Sequence, residues 1–376
     1  MMGFCGALNF EEERISFSML KRMYGLHGAG CAYINREFGI MCGGEGNFDE
    51  CSLQPVTVRY NNALYTAAIV VPERMRGMEG STAQGVLEGY FEEGEEYIRR
   101  LEFPYALALY DSRCGELLLA KGEKGDKPLF YTFRDGTMYF ATSLRPLFRL
   151  YGGCVRVNKK VLVSHISGEY STIPEELFCD IRPIRPSRRL VCSRFGHTEV
   201  PAPVGVGIKE RQSDMDSFVL PEYSKKTDMR RILTDSLFAF DYPQFDCFMP
   251  SLLPYVKAAA ADGRTEVDIL DSLADNYADY SLERAERIGS LYGVDVRVSA
   301  TADACVSARE LKAMEKQIDT VLSEYLQSPY GVSESLVSDE LLDEIYDDKS
   351  VQRRIHRKGM LCQTAMWFEC YNLVLV

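Results

Sequence analysis

One cysteine near the start of the chain has a setting that suggests chemistry. Cys5 is followed by a glycine and a short apolar run in "MMGFCGALNF". A thiol becomes a strong nucleophile only when a base takes its proton, and a free α-amino group can be that base. Because Met1 to Phe4 precede it, Cys5 can use its own nitrogen only after these residues are removed. Cys5 is therefore a candidate nucleophile only if the chain is processed, and the alternative is a buried thiol in the first strand.

The composition limits the class of protein. The chain has 376 residues, 46% of them hydrophobic and 26% charged, which predicts a globular protein with two domains. Its net charge of -12 argues against nucleic acid or an anionic membrane surface as a partner, because such partners need clustered Lys and Arg. No apolar run reaches the ~18 residues of a membrane span, and the N-terminus does not have a signal-peptide pattern. We expect no membrane association and a cytoplasmic location.

The remaining cysteines do not form a recognisable metal-binding pattern. The chain has 12 cysteines and 4 histidines, but no C-x-x-C pair, and no histidine is spaced with cysteine as a ligand set. In a reducing compartment most such thiols pack as small buried hydrophobic groups. The sequence therefore predicts no metal ion and no cofactor.

Up to about residue 200, short β-rich runs alternate with turns. The stretches "YDSRCGELLLA" and "YTFRDGTMYFA" predict hairpins, the second through an Arg-Asp-Gly turn. Three other stretches predict helices: "FSMLKRMYGL", "TAQGVLEGYFEEGEEYIRRL" and "LRPLFRLYG". Hairpin strands with a few helices between them indicate a layered α+β domain over residues 1–200, and not a parallel βαβ array.

From residue 201 the composition changes. Residues 201–226 are rich in Pro, Gly, Ser and charge, which predicts a linker, and residues 227–376 predict a mostly helical domain. Its helical stretches include "MRRILTDSLFAF", "MPSLLPYVKAAAA" and "VDILDSLADNYADY". In "SLERAERIGSLYGVDVRVSA" a helix, a glycine turn and a short strand follow one another, as in an α/β nucleotide-binding layer. One such unit does not establish that fold.

A long ordered series of motifs in the first domain resembles the glutaminase half of asparagine synthetases and other class II glutamine amidotransferases. The series runs from "STAQGVLEGYF" through "YALALYD" and "GDKPLFY" to "YFATSLRPLF", where the family has a helix, "F-A-L-Y-D", "E-K-P-L-Y-Y" and "F-A-S-E-L-K-A-L". The stretch "GEYSTIPEELFCDIRPIRP" is similar to the segment that closes this domain in the family. The resemblance implies a four-layer αββα fold of the Ntn-hydrolase type for residues 1–200.

The resemblance also implies a chemistry, but several of the family's residues are missing. In the family an N-terminal cysteine attacks the glutamine amide, its α-amino group moves the proton, an Asn side chain and a Gly N–H stabilise the oxyanion, and an Arg and an Asp hold glutamine. Cys5 matches the nucleophile, and Glu102 is a weak match to the acidic substrate-binding residue. Ala67 and Ala68 stand near the oxyanion positions, and "YGLHGAGCAY" has no Arg where the family has "H-R-G-P-D". Losing one oxyanion donor costs about 100- to 1000-fold in turnover, so these departures predict the loss of glutaminase activity.

The second domain resembles a reduced synthetase (ATP pyrophosphatase) domain. Asparagine synthetases have a Gly- and Ser-rich loop, "S-G-G-L-D-S-S", whose N–H groups hold pyrophosphate. Here the preceding helix and the turn from Asp241 to Pro243 are kept, but the loop position holds "MPSLLPY", Met249 to Tyr255. Its two prolines remove N–H donors, and the family's later "S-G-E-G-A-D-E" loop is missing. We expect a mostly helical α/β remnant that does not bind ATP in the family's way.

Two functions remain open from the sequence. The first is a degenerate, non-catalytic asparagine synthetase homologue that acts as a scaffold or regulatory subunit. The second is an asparagine synthetase-type glutamine amidotransferase with altered site residues, in which glutamine hydrolysis feeds ATP-dependent amide formation. The expected partners are another protein or a second copy of this chain, and a glutamine-like small molecule. The apolar terminal segment "MLCQTAMWFECYNLVLV" is expected either to pack on the core or to form an interface.

Overall fold

A computed structural model gives the structure of the chain. It describes residues 2–11, 14–25, 31–44, 53–72, 75, 77–122, 127–152, 154–168, 174–186, 188–201, 227–246, 249–264, 266–271, 285, 287–289, 291–300, 307–327, 337–371 and 373–376. In chain order the helices and strands of the described residues include β1 (Met2–Asn9), α1 (Phe17–Tyr24), β2 (Cys31–Ile34), β3 (Phe38–Gly44), β4 (Val56–Tyr60), β5 (Ala63–Val70), α2 (Ala83–Glu93), α3 (Glu95–Arg99), β6 (Ala106–Asp111), β7 (Glu116–Lys121), β8 (Phe130–Arg134), β9 (Thr137–Ala141), α4 (Arg145–Tyr151), β10 (Arg156–Val157), α5 (Lys159–Ile166), β11 (Arg182–Pro183), β12 (Arg188–Ser193), β13 (Gly196–Pro201), α6 (Met229–Phe240), α7 (Met249–Ala261), β14 (Glu266–Asp271), β15 (Asp295–Ala300), α8 (Ala308–Leu326), α9 (Asp339–Tyr346), α10 (Val351–Tyr371) and β16 (Val374–Leu375).

The contacts divide the chain into two compact units. The first comprises Met1–Gly152 and Asp180–Ser213, and the second comprises Gly153–Cys179 and Asp214–Val376. The segment 153–179 therefore groups with the C-terminal part of the chain, although it lies between two pieces of the first unit. The predicted linker, 201–226, lies outside the described residues except for its first residue, so the sequence-based domain limits stay a prediction.

The first unit contains two antiparallel six-stranded sheets. Their strand orders are β11-β8-β9-β1-β3-β2 and β13-β12-β7-β6-β5-β4. In the turn between β8 and β9, Asp135 and Gly136 have φ of 48° and 66°, the left-handed values that a two-residue type I′ turn requires. Both predicted hairpins, β6 with β7 and β8 with β9, are confirmed.

The two sheets pack face to face around an apolar core. Phe4, Phe38 and Phe140 of the first sheet and Tyr110 of the second lie in this layer, and the rings of Phe38 and Tyr110 stack with centroids 4.4 Å apart. Helices α1 and α4 pack against the first sheet, and α2 packs on the outer face of the second. The layers are helix, sheet, sheet and helix, so the predicted four-layer αββα fold is confirmed.

The long helix predicted from "TAQGVLEGYFEEGEEYIRRL" is divided into α2 and α3. Between them Gly94 takes φ 65° and ψ −144°, a conformation that a residue with a Cβ adopts only with strain. The ring of Tyr97 in α3 then packs against Gly89 in α2, where a Cβ would lie 2.3 Å from the ring. Glycines at these two positions therefore permit a break that the helical periodicity alone did not predict.

The second unit is built mainly from helices, with α10 in contact with both α6 and α8. Trp367 of α10 is fully buried and meets the ring of Phe178 edge to face, with centroids 5.7 Å apart. Val374 and Leu375 then pair in parallel with β10. The apolar terminal segment is thus packed within the second unit. This is the first of the two arrangements expected for it, packing on the core.

Polar side chains are also buried between these helices. The ammonium of Lys358 lies 2.9 Å from carboxylate oxygens of both Glu315 and Asp319, and the Arg354 guanidinium makes two bonds to Glu315, of 2.6 and 3.1 Å. Gln363, which is fully buried, accepts from the Gln244 N–H at 2.7 Å. These contacts tie α10 to α8 and to the segment that follows α6.

One sequence-based helix in the second unit is wrong. The stretch beginning "VDILD" was expected to be helical, but residues Glu266–Asp271 form β14, which pairs in parallel with β15. A short apolar run has no periodicity that separates a buried strand from a helix. The residues after Asp271 in that stretch lie outside the described part of the chain. The short strand expected at the end of "SLYGVDVRVSA" is confirmed as β15.

Candidate functional site

Cys5 lies in β1, a strand with neighbours on both sides in the first sheet. It pairs with Met41 in β3 and with Ala141 in β9. The Phe4 N–H donates to Thr142 Oγ1, and the Thr142 N–H donates to the Phe4 carbonyl, both at 3.0 Å. Since successive peptide groups in a strand point to opposite neighbours, the Cys5 N–H points toward β3. The nitrogen that would have to act as a base is therefore a peptide N–H inside a sheet.

The residues that precede Cys5 are part of the same strand. Gly3 pairs with Gly43 and Phe4 with Cys42. Phe4 is 1% exposed and meets the Phe140 ring edge to face at 6.2 Å. A Cβ at position 3 would lie 2.2 Å from Thr142 Oγ1, so the threonine hydroxyl occupies that space. Removing these residues would take a large aromatic side chain out of the core.

The Cys5 thiol does not face the space between the sheets. Phe4 and Leu8 point into that layer, so Cys5 and Ala7 point to the other face of the sheet. On that face Gly39, the partner of Ala7 in β3, lies against the Leu20 side chain of α1. A Cβ at position 39 would lie 2.9 Å from Leu20 Cδ1. The Cys5 side chain is thus enclosed between β1 and the helical layer.

Burial controls the chemistry of this thiol. Cys5 is fully buried, and desolvation raises its pKa to about 12, against a smaller lowering by the positive charge of Arg149. At neutral pH a thiol with this pKa is ionised in only about one molecule in 100,000. Because the thiolate is the nucleophile, the buried Cys5 thiol has little nucleophilic reactivity at neutral pH.

The nearby cation, Arg149, was not found by sequence analysis. It belongs to α4, and its guanidinium donates to the carbonyls of Met23, at 3.4 Å, and of Tyr24. These carbonyls end α1, where Gly25 takes φ 71° and a Cβ would lie 2.1 Å from Arg149 Cζ. The guanidinium therefore caps α1. An exposed Arg in an amphipathic helix carries no sequence signal for such a role.

The other residues singled out from the sequence lie elsewhere in the first unit. Ala67 and Ala68 are fully buried in β5, with Ala68 in the layer between the sheets and Ala67 under α2. Their methyl groups donate no hydrogen bond. Glu102 is exposed just before β6 of the second sheet. The structure therefore places the Cys5 thiol, Ala68 and Glu102 on different layers and does not bring them into one pocket.

Residues Met249 to Tyr255, which sequence analysis compared with the pyrophosphate loop of asparagine synthetases, form the first turns of α7. The Met249 N–H donates to Asp246 Oδ1 at 3.1 Å, which satisfies one of the free N–H groups at the helix start. Leu252 and Leu253 are buried, and Pro254 lies inside the helix. This segment is packed helix and not an open loop of N–H donors.

Neither a metal cluster nor a membrane span is found in the part of the chain that the structure describes. Within those ranges no three His, Cys, Asp or Glu side chains gather into a group that could hold a metal ion. No helix there combines the length and hydropathy that crossing a bilayer requires.

Comparison with known proteins shows that part of the first unit is similar to a known family of domains. Residues 73–201 match the family described as the glutamine amidotransferase domain. The first unit is glutamine amidotransferase-like. Over 145 residues the chain is 28% identical to asparagine synthetase [glutamine-hydrolyzing] 3 of Bacillus subtilis (strain 168), an alignment that covers 37% of this chain and 24% of the relative. The chain therefore spans about a quarter of the length of this curated relative.

Three solved structures with some likeness to the chain are each 12% identical to it. The structure of the allosteric regulatory enzyme of purine biosynthesis covers 79% of this chain and 64% of that chain, with a TM-score of 0.38. Glutamine phosphoribosylpyrophosphate amidotransferase from Bacillus subtilis covers 78% and 59%, with a TM-score of 0.36. A glutamine aminotransferase class-II domain protein from Silicibacter pomeroyi covers 54% and 100%, with a TM-score of 0.27. We therefore assign the fold of the amidotransferase-like unit from the two sheets observed in this chain, and not from these structures.

The family match begins after β5. It contains Glu102 and the stretch "GDKPLFY" but not Cys5, Ala67 or Ala68. The matched residues therefore contain α2 to α4, β6–β9 and β11–β13 of the amidotransferase-like unit, together with β10 and α5 of the second unit. The strand that carries the candidate nucleophile, β1, lies outside them.

Proposed function

We propose that this chain is a degenerate asparagine synthetase homologue that does not hydrolyse glutamine and acts in the cytoplasm as a scaffold or regulatory subunit. Its partner would be another protein or a second copy of this chain. The observation that carries the proposal is the position of Cys5 within β1, with its N–H in the sheet and its thiol buried. A nucleophile needs a base and access to substrate, and this position provides neither.

Two further observations support the proposal. The positions near the family's oxyanion donors hold Ala67 and Ala68, and losing one such donor costs about 100- to 1000-fold in turnover. In the second unit, the segment that sequence analysis compared with the pyrophosphate loop belongs to α7, which contains Pro250 and Pro254. Glutamine hydrolysis and ATP use would both need groups that these positions do not supply.

A glutaminase assay tests the proposal directly. Glutamate release is measured with and without ATP and aspartate, for the wild type, for Cys5→Ala and for Cys154→Ala, which changes an exposed cysteine of the second unit. The wild type is expected to release glutamate no faster than either variant. Release by the wild type and Cys154→Ala that disappears in Cys5→Ala would overturn the proposal.

The intact mass of the protein from its native source is a second test. Because Met2, Gly3 and Phe4 are paired in β1, the mature protein is expected to retain these residues. A mature chain that begins at Cys5 would give that residue a free α-amino group, and the proposal would then be abandoned.

A thermal shift with millimolar ATP and Mg²⁺ tests the second unit. A site with a Kd of about 10 μM would stabilise the protein by about 2.7 kcal/mol at 1 mM ligand, which is a shift of a few degrees. We expect no ATP-dependent shift. The same measurement with glutamine asks whether the altered site still holds a glutamine-like molecule.

The alternative function is an asparagine synthetase-type glutamine amidotransferase with altered site residues. The match of residues 73–201 to an amidotransferase domain favours it, because the framework of such a site is kept. Cys5-dependent glutamate release by the wild type in the glutaminase assay would favour this alternative.

A further inference from the structure

Two cysteines of the first unit lie side by side on neighbouring strands. Cys31 is the first residue of β2, and its direct partner in β3 is Cys42. Residues directly opposite each other in an antiparallel pair have their side chains on the same face. Both thiols are free.

The register also fixes the spacing of the pair. The Asn35 N–H donates to the Phe38 carbonyl at 2.9 Å, so this pair is of the hydrogen-bonded kind. Every second pair along the same ladder is of that kind, which includes Cys31 with Cys42. The Cα atoms of hydrogen-bonded pairs are about 5.5 Å apart, and disulfides span Cα distances of about 4.4–6.8 Å.

The two thiols differ in their access to solvent. Cys42 is fully buried in the layer between the sheets, and burial, with smaller effects of Cys5 and Cys31, raises its pKa well above the ordinary value. Cys31 is half-buried, and β2 is the edge strand of its sheet. A small oxidant is therefore expected to react with Cys31 first, and the buried Cys42 lies directly opposite it.

A competing pair with Cys5 is excluded by the sheet geometry. The partner of Cys42 on β1 is Phe4, and the Cys5 side chain points to the opposite face of the sheet from Phe4. Cys31 is thus the cysteine on the same face as Cys42 in the described part of this ladder.

We propose that Cys31 and Cys42 are a redox site, which a peroxide converts to an intramolecular disulfide. The Cys31 thiolate attacks one oxygen of hydrogen peroxide, the O–O bond breaks, and the leaving hydroxide takes a proton to become water. The Cys42 sulfur then attacks the resulting sulfenic sulfur, the S–S bond forms, and the second hydroxide leaves as water with the Cys42 proton. Each sulfur loses one electron and the peroxide gains two.

The disulfide would fix the start of edge strand β2 to the end of β3. It closes a short hairpin, so it removes conformations from the unfolded chain and raises the thermal stability of the oxidised protein. This site is independent of glutamine chemistry and of the proposed function.

Peptide mapping of the full chain tests the site. Reduced protein is treated with one equivalent of hydrogen peroxide, free thiols are blocked with N-ethylmaleimide, and the peptides are analysed by mass. A linked Cys31–Cys42 peptide, two hydrogens lighter than the two thiol peptides and reversed by dithiothreitol, is expected. Cys31→Ser should not form it, and Cys154→Ser, which changes an exposed cysteine elsewhere, should form it as the wild type does.

Thermal unfolding gives a second readout. The oxidised wild type and Cys154→Ser should melt a few degrees above their reduced forms, and Cys31→Ser should not change with peroxide. The proposal fails if Cys31 is oxidised while Cys42 remains available to the blocking reagent after unfolding. It also fails if either residue is found linked to a different cysteine.

Discussion

In the first unit the layer between the sheets is filled by apolar side chains, whereas the interior of the second unit holds several polar ones. The difference follows from backbone hydrogen bonding. Strands such as β1 have both edges paired, so most of their peptide groups bond within the sheet and few need a side-chain partner, as Phe4 does with Thr142. In the second unit the irregular residues after α6 are buried, and Gln363, His165 and His356 bond to their peptide groups.

This contrast teaches where each unit is vulnerable. The first unit loses stability when apolar volume is removed, and the second when a polar partner is removed. The chain has one tryptophan, Trp367, buried in the second unit. Its fluorescence therefore reports unfolding of the second unit, and hydrogen exchange of the β1 amides reports the first.

Phe4→Ala is expected to have the largest effect. It removes a buried ring from the layer between the sheets, which costs about 3–5 kcal/mol. Hydrogen exchange of β1 and β3 should accelerate while the Trp367 unfolding curve stays in place. Phe17→Ala is the matched control, since Phe17 is 51% exposed and its loss should change stability by less than about 0.5 kcal/mol. Equal losses of stability in Phe4→Ala and Phe17→Ala would contradict the burial of Phe4 between the two sheets.

Glu315→Ala should be next, at about 3 kcal/mol, because it removes one of the two carboxylates that pair with the buried ammonium of Lys358 and also the carboxylate partner of Arg354. The Trp367 curve should shift and β1 exchange should not. On the same helix, Glu324 pairs with Arg230 at an exposed position, so Glu324→Ala should cost at most about 1 kcal/mol. A Glu315→Ala protein as stable as Glu324→Ala would contradict an ion-paired interior.

The same glutamate predicts an acid dependence of the second unit. The hydrogen bond from Arg354, with further help from Lys358, lowers the pKa of Glu315 in the folded chain. Its contribution is present at neutral pH and is lost as pH falls from about 4.5 through the lower folded value. Glu315→Ala should therefore flatten the loss of second-unit stability in acid.

Gln363→Leu should cost about 2 kcal/mol. The change keeps the side-chain size but leaves the Gln244 N–H and the Ser236 hydroxyl, bonded to Gln363 at 2.7 and 2.6 Å, without that partner in the interior. Denaturant unfolding followed by Trp367 fluorescence measures it. A neutral or stabilising result would show that the buried amide is dispensable and would weaken the contrast between the units.

Cys5→Ala should have the smallest effect, about 1 kcal/mol at pH 7, for a small buried group. Above pH about 9 the unfolded wild type ionises this thiol, while the folded one, with its pKa raised to about 12, stays protonated. Wild-type stability from this group is thus lost as pH rises from about 9 to about 12. The stability advantage of the wild type over the variant, read by β1 exchange, should shrink and then reverse within that window, because each pH unit above about 9 costs the wild type about 1.4 kcal/mol. A constant difference would contradict a buried thiol.

The sequence predicted the hairpins of the first unit well, because local residues such as Asp135 and Gly136 determine a turn. It did not predict the strand β14, since a short apolar run fits a strand and a helix equally. The direction of the Cys5 side chain depends on the register of β1 against β3, which is set by residues distant in the chain. For the same reason the adjacency of Cys31 and Cys42 had no local signal.

The pairing of segment 153–179 with the end of the chain has a consequence for synthesis on the ribosome. Ser167 accepts a hydrogen bond from Arg357, 190 residues later, and Phe178 packs on Trp367. At about 5–20 residues per second, the ribosome leaves this segment without its partners for on the order of ten seconds or longer. During that interval α5 and Phe178 lack the side chains of α10 that they contact in the folded chain, so we expect a chaperone that binds apolar segments to act at this stage.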